Sequence, residues 1–225
     1  GRSDNGFTPL CQAAQNGFGQ ILSDLLEAGA DPNQGRTDIG SPPLLYASEK
    51  GSRQMVTNLL ASGADVNSGR TDNNVTPLLL SAQNGFLDIL SDLIRAGADL
   101  NQARTDTGMT PLLQAATNGY GTIVQKLIEN GADVDKGCTE RRHTPLYVAS
   151  RNGYLFIVKV LLEARANVNK ATVDGYTPLY VASHNGHEAI VEALVNAGAR
   201  VDHTANDGIT ARDAARANGH DSVLR

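Results

Sequence analysis

The chain has no tryptophan, and aromatic residues make up only 4% of its 225 positions. A chain of that length buries a large core. Without large rings, that core must come from Leu, Ile, Val and Ala packed between short helices. Cysteine is as scarce: Cys11 and Cys138 lie far apart and share no metal-ligand spacing. This excludes a disulfide-stapled secreted scaffold and points to a reducing compartment, cytosol or nucleus. No run approaches the about 20 consecutive apolar residues that span a bilayer. No charged start followed by a short apolar run marks a secretory leader either. Basic charge is also short, with 19 Lys+Arg against 24 Asp+Glu for a net of −5. Residues 1–140 carry 9 basic against 16 acidic residues, whereas 141–225 carry 10 against 8 and all five histidines. A nucleic-acid binder would show a much stronger basic face. Hydrophobic residues at 40% and charged residues at 19% suit a soluble folded chain and argue against disorder.

What the chain does have is internal repetition. Thr-Pro-Leu occurs at 8–10, 76–78, 110–112, 144–146 and 177–179, with Pro42-Pro43-Leu44 and Thr210-Ala211-Arg212 in the matching places. The marker prolines Pro9, Pro43, Pro77, Pro111, Pro145 and Pro178 are spaced by 34 residues four times and then by 33, and Ala211 follows another 33 on. Gly29, Gly63, Gly97, Gly131, Arg165 and Gly198 each follow a marker by 20 residues. The constant segment predicts two antiparallel helices. Thr8 can cap the first with its hydroxyl, and Pro9 suits the first helical position, where no amide bond is lost. Asn16-Gly17 offers a left-handed stop. Asn-Gly recurs at 84–85, 118–119, 152–153, 185–186 and 218–219, with Lys50-Gly51 as the exception. The second helix carries apolar residues at helical spacing: Ile21, Leu22, Leu25 and Leu26, then Ile89, Leu90, Leu93 and Ile94, then Ile123, Val124, Leu127 and Ile128. One such pair cannot bury its own stripe, but pairs stacked side by side form a continuous core.

Thr-Pro-Leu, Ala-Ala or Ala-Ser, Asn-Gly and then Gly-Ala-Asp-Val-Asn resembles the ankyrin-repeat family, most literally at 177–185, and the resemblance covers essentially the whole chain. It implies an all-α solenoid of stacked helix-turn-helix units with projecting β-hairpin loops, forming one domain over 1–225. The units expected are 4–37, 38–71, 72–105, 106–139, 140–172, 173–205 and 206–225, the last incomplete. The chain opens on Gly1-Arg2-Ser3-Asp4, which reads as the tail of an earlier loop and hence as a piece of a longer array. The resemblance also implies a protein–protein interaction module, monomeric as a fragment, that binds a protein or peptide on a concave face of hairpins and first helices. A targeting arm of a larger enzyme, channel or effector, and a passive elastic spacer, are the alternatives.

Candidate contact residues follow from that face. The residue before each Asn-Gly or its counterpart reads Gln15, Glu49, Gln83, Thr117, Arg151 and His184. The residue before each Thr-Pro or its counterpart reads Phe7, Ser41, Val75, Met109, His143 and Tyr176. Tyr46, Tyr147 and Tyr180 on first helices are candidates because Tyr is enriched in interface hot spots; the alternative is packing between repeats. Arg36, Arg70 and Arg104, with Arg2, recur in Gly-Arg-Thr-Asp or closely similar loops. They would form either inter-repeat pairs with the adjacent aspartates, each worth about 0–1 kcal/mol, or a comb of guanidinium groups gripping carboxylates. Asn67 and Asn101 resemble the hairpin asparagines that hydroxylases modify in animal ankyrin repeats.

Chemistry finds little support. His184 and His187 are separated by Asn185-Gly186, which interrupts the continuous helix that a zinc pair at four-residue spacing needs. No P-loop, nucleophile elbow or dinucleotide fingerprint occurs. Asp133 and Asp135 lie in a solvated loop, and Cys11 has no His in its own unit, so no catalytic residue, metal or cofactor is expected. Three departures bear on stability. Arg165 stands where a left-handed glycine is expected, Pro42 displaces the capping Thr, and Arg212, Asp213 and Arg216 make the last helix polar.

Overall fold

The structure is a computed structural model and describes residues 6–36 and 40–220. It divides into two compact units, 1–106 and 107–225. Unit 1 holds α1 (Pro9–Asn16), α2 (Gly19–Glu27), α3 (Pro43–Lys50), α4 (Arg53–Ala61), α5 (Pro77–Asn84) and α6 (Leu87–Arg95). Unit 2 holds α7 (Pro111–Asn118), α8 (Gly121–Glu129), α9 (Pro145–Asn152), α10 (Leu155–Glu163), α11 (Pro178–His184), α12 (Glu188–Asn196) and α13 (Ala211–Ala217). Within each unit the chain is an all-α solenoid. The first helices of successive pairs pack side by side, α1 on α3 on α5 and α7 on α9 on α11 on α13, and each second helix packs on its own partner and on the next second helix.

Thr-Pro starts the first helices as the sequence predicts. Thr8, Thr76, Thr110, Thr144 and Thr177 each accept a hydrogen bond from the amide three residues on. Pro42 caps nothing with its side chain. Thr210 compensates for its missing proline with a capping box, in which the Asp213 carboxylate accepts from the Thr210 amide. The polar residues of α13 face outward, while Ala211, Ala214 and Ala215 are buried.

On the second helices, Ile89, Leu90 and Leu93 of α6 and Ile123, Val124 and Leu127 of α8 are buried, and the fourth apolar residue of each set is half-buried. In α2 only Leu22 is buried, and Ile21 is 51% exposed. Helix α2 packs on α1 and on α4.

No β-strand forms among the described residues, so the projecting loops are hairpin-like turns rather than strand ladders. Several are closed by a backbone hydrogen bond across the base. The Arg70 amide donates to the Val75 carbonyl and the Cys138 amide to the His143 carbonyl, five residues apart. In the 33-residue region, the Thr172 amide donates to Tyr176 and the Ala205 amide to Ile209, four apart. The extra residue of the longer repeats therefore sits inside the loop. The position three before each marker proline is left-handed, and it is occupied by Asn74 and Arg142 (both φ 57°) where other loops have glycine. Arg165 is also left-handed, at φ 62°.

Candidate functional site

Two side-chain stripes in unit 2 follow from a four-residue spacing. His143, Tyr147 and Arg151 run from the loop before α9 along that helix, and Tyr176, Tyr180 and His184 do the same on α11. Residues four apart on a helix share a face. The His143 and Tyr147 rings stack with centroids 4.5 Å apart and 16° between planes. Tyr176 lies 4.5 Å from Tyr180 at 31°, and Tyr180 is parallel to His184 at 6.4 Å. Because α9 packs on α11, the stripes lie side by side. They enclose a cleft of about 310 Å³ lined by Tyr147, Arg151, Tyr176, Tyr180, Val181, His184 and Asn185.

The polar groups of this cleft are mostly donors. The exposed Arg151 guanidinium has no ion-pair partner among the described residues, while its backbone carbonyl accepts from Asn185 Nδ2 at 2.9 Å. The Asn218 amide nitrogen donates to the Ala214 carbonyl at 2.8 Å and meets His184 Nδ1 at 3.0 Å. His184 Nδ1 is therefore an acceptor, which leaves Nε2–H as the donor of the ring. Burial pushes the Tyr147 and Tyr180 hydroxyls up, so both stay protonated. Neither makes a hydrogen bond among the described residues. Tyr176 donates to Asp207 at 3.1 Å, and that bond raises its pKa. Burial, reinforced by the Arg151 and Arg141 cations and opposed by Asp174, lowers His143 and keeps its ring neutral.

Four nominated residues, Tyr147, Arg151, Tyr180 and His184, thus meet in one place. Others do not. Tyr46 is buried and packs edge-on against Phe7 at 5.6 Å. It stands three residues after its marker proline, whereas Tyr147 and Tyr180 stand two after theirs, so it lies on another face of its helix. Tyr147 is also buried, at 5% exposed against 7% for Tyr46, but it borders the cleft. Tyr46 thus packs against Phe7 and lies outside the cleft lining. The arginine pairing takes a different form from the one expected. Arg70 binds Asp72 in a two-bond fork (3.1 and 2.7 Å) and Arg104 binds Asp106 likewise (3.0 and 2.6 Å), each within its own loop rather than between repeats. Those forks are filled, which leaves a comb without free guanidinium at either position. Arg36 lies over the Phe7 ring, 5.4 Å from its centroid. Arg2 lies outside the described residues, as does Asp38. Glu49 and Gln83 are exposed, and the Thr117 hydroxyl is spent on the Leu113 carbonyl at 2.8 Å.

Asn67 is one of a set of latches between neighbouring helix pairs. Its Oδ1 accepts from the Asp99 amide at 2.7 Å and its Nδ2 reaches the Gly97 carbonyl at 3.4 Å. Asn33 does the same toward Asp65 and Gly63, and Asn169 toward Arg200 and Gly198. Asn101 is half-buried in the equivalent loop, where its amide donates to Asp99 Oδ1 at 2.8 Å. Any modification of Asn67 would act on a group that already bridges two pairs.

One cluster had no voice in the sequence reading. Asp92 on α6 is 5% exposed and accepts from Arg53 of α4 at 2.6 and 3.1 Å and from Arg95 at 2.8 Å. The Arg53 guanidinium holds its carboxyl below the usual carboxylate range. An Asp beside the apolar triplet Ile89, Leu90 and Leu93 was the available signal. The cluster braces α4 against α6. The Cys11 thiol is buried, pushed up by that burial, and directed at the Gln34 and Ser41 carbonyls at 3.6 and 3.8 Å, so it fills a structural role. Among the described residues no group of three or more His, Cys, Asp or Glu is placed to hold a metal, and no helix is long and apolar enough to cross a membrane.

No curated protein matches the chain. The family model for ankyrin repeats, built as three copies, matches residues 1–70, 44–138 and 134–207. Those matches span nearly all of the helix pairs described above, and the chain belongs to the ankyrin-repeat family.

Proposed function

We propose that this chain is a binding module that holds a protein or peptide along its hairpin-and-first-helix side, with the cleft between α9 and α11 as the principal site. Ankyrin repeats are generally protein–protein interaction modules, and the family supplies the class of activity but not the ligand. The observation that carries the reading is the cleft itself. It gathers three aromatic side chains, a guanidinium with no ion pair among the described residues and an imidazole donor where the repeat frame elsewhere presents Glu49, Gln83 and Thr117. Tyrosine and arginine are the side chains that carry most binding energy at protein interfaces.

The test compares captured proteins for three forms of the chain: wild type, a cleft variant with Tyr180→Ala and His184→Ala, and a loop variant with Arg70→Glu and Arg104→Glu. Proteins bound by wild type and by the loop variant but lost by a folded cleft variant support the site. Identical sets for all three would remove the cleft from the account and favour a spacer role.

A further inference from the structure

Resting on that reading of the cleft as a peptide site, we infer that its occupant is an acidic segment: an extended peptide whose Glu or Asp carboxylate is anchored at Arg151. The unpaired polar groups of the cleft set this choice. Arg151 offers guanidinium N–H groups with no ion pair among the described residues, His184 offers Nε2–H, and the Tyr147 and Tyr180 hydroxyls are protonated and unbonded. No lining residue is a carboxylate. Of the acids nearby, Asp207 is engaged by the Tyr176 hydroxyl, and Asp174 is an exposed hairpin residue whose charge acts on His143 and Tyr147 from outside the lining.

A planar guanidinium matches a carboxylate with two parallel hydrogen bonds, and the two tyrosine hydroxyls can add donors to the same anion. Size agrees with a side chain as the anchor. A cleft of about 310 Å³ sits at the low end of what small-molecule pockets occupy, about 300–1,000 Å³. The stretch that contains it, residues 141–225, carries a net charge of +2 in a chain whose first 140 residues carry −7. An acidic segment is therefore drawn to this end and repelled by the other.

The experiment uses the whole 225-residue chain, immobilised and offered a phage-displayed library of random dodecapeptides. Four forms are run in parallel: wild type, Arg151→Glu, Arg151→Lys, and Arg70→Glu as a charge control outside the cleft. The Arg151 side chain makes no hydrogen bond or ion pair among the described residues, so the variants fold, and circular dichroism verifies it. Wild type and Arg70→Glu should enrich peptides rich in Asp and Glu. Arg151→Glu should lose them and turn toward Lys and Arg, and Arg151→Lys should keep part of the preference. A synthetic copy of the leading acidic peptide should bind wild type about tenfold or more tighter than Arg151→Glu in fluorescence polarisation. Enriched peptides without acidic excess, or acidic peptides that Arg151→Glu retains, overturn the carboxylate anchor while leaving peptide binding in place. No enrichment by any form overturns both.

Discussion

Alanine at Gly51 and alanine at Gly63 change the same chemistry in two different surroundings. Both glycines are left-handed, at φ 75° and 86°. A Cβ built on Gly63 meets nothing within 4 Å. A Cβ built on Gly51 would come within 2.7 Å of Phe86 Cζ and 2.9 Å of its Cε2, because the ring of the next pair lies across the turn. Left-handed backbone costs an L-residue about 1–2 kcal/mol. Part of this is offset, by about 0.4–1 kcal/mol, because alanine also restricts the unfolded chain. Gly63→Ala should therefore cost about 1 kcal/mol. Gly51→Ala adds the overlap with Phe86, about 1–3 kcal/mol for forcing an extra methyl into a packed site. Urea unfolding followed by far-ultraviolet circular dichroism is the assay, since the chain has no Trp to report by fluorescence. Repeating Gly51→Ala in a Phe86→Ala background closes a double-mutant cycle. The cost of Gly51→Ala should then fall to that of Gly63→Ala. Equal costs for the two glycines in the wild-type background, or no coupling to Phe86, would refute the steric argument and leave backbone conformation as the whole effect.

Arg165→Gly relieves a left-handed arginine, and should raise stability by about 0.5–1 kcal/mol after glycine's own entropy is counted; a drop in the denaturation midpoint would contradict it. Asn67→Ala removes both bonds of one latch and should cost about 1–2 kcal/mol, read from the same urea curves. Asp92→Asn tests the brace through pH. The Asp92 pKa is depressed by Arg53, so its contribution is present above the unfolded value of about 4 and is lost as pH falls through the lower folded value. The stability gap between wild type and Asp92→Asn should be full at neutral pH and close below about pH 4. A gap unchanged by acid would mean that the carboxylate's charge plays no part.

The repeat frame was legible because each of its parts is written locally. A Thr hydroxyl caps an amide three residues away, proline fits the first turn, and Asn-Gly stops the helix, so short strings fix each element. The cleft was half legible. Every residue of its two stripes was named singly, and the spacing 143, 147, 151 and 176, 180, 184 could have joined them. Grouping Tyr46 with Tyr147 and Tyr180 hid it, because one step along a helix turns a side chain by about 100° and so onto a different face. The Arg-Thr-Asp loops suggested pairing, but whether a fork closes on its own loop or on its neighbour depends on turn geometry that composition does not encode. Arg53 and Asp92 lie 39 residues apart, and only the stacking of α4 on α6 brings them together.

The asparagine latches and the loop closures divide the chain into two regimes of length. From Asn67 to its latch partner Asp99 the offset is 32 residues, and from Asn169 to Arg200 it is 31, following the change of period from 34 to 33. The closing bond of the loop shortens by the same single residue, from five to four. Insertions and deletions are thus absorbed within the loop, and the latch on either side keeps its geometry. Loop length and loop sequence can drift in such a chain without disturbing how the helix pairs seat on one another, so new contact surfaces can be tried on an unchanged frame.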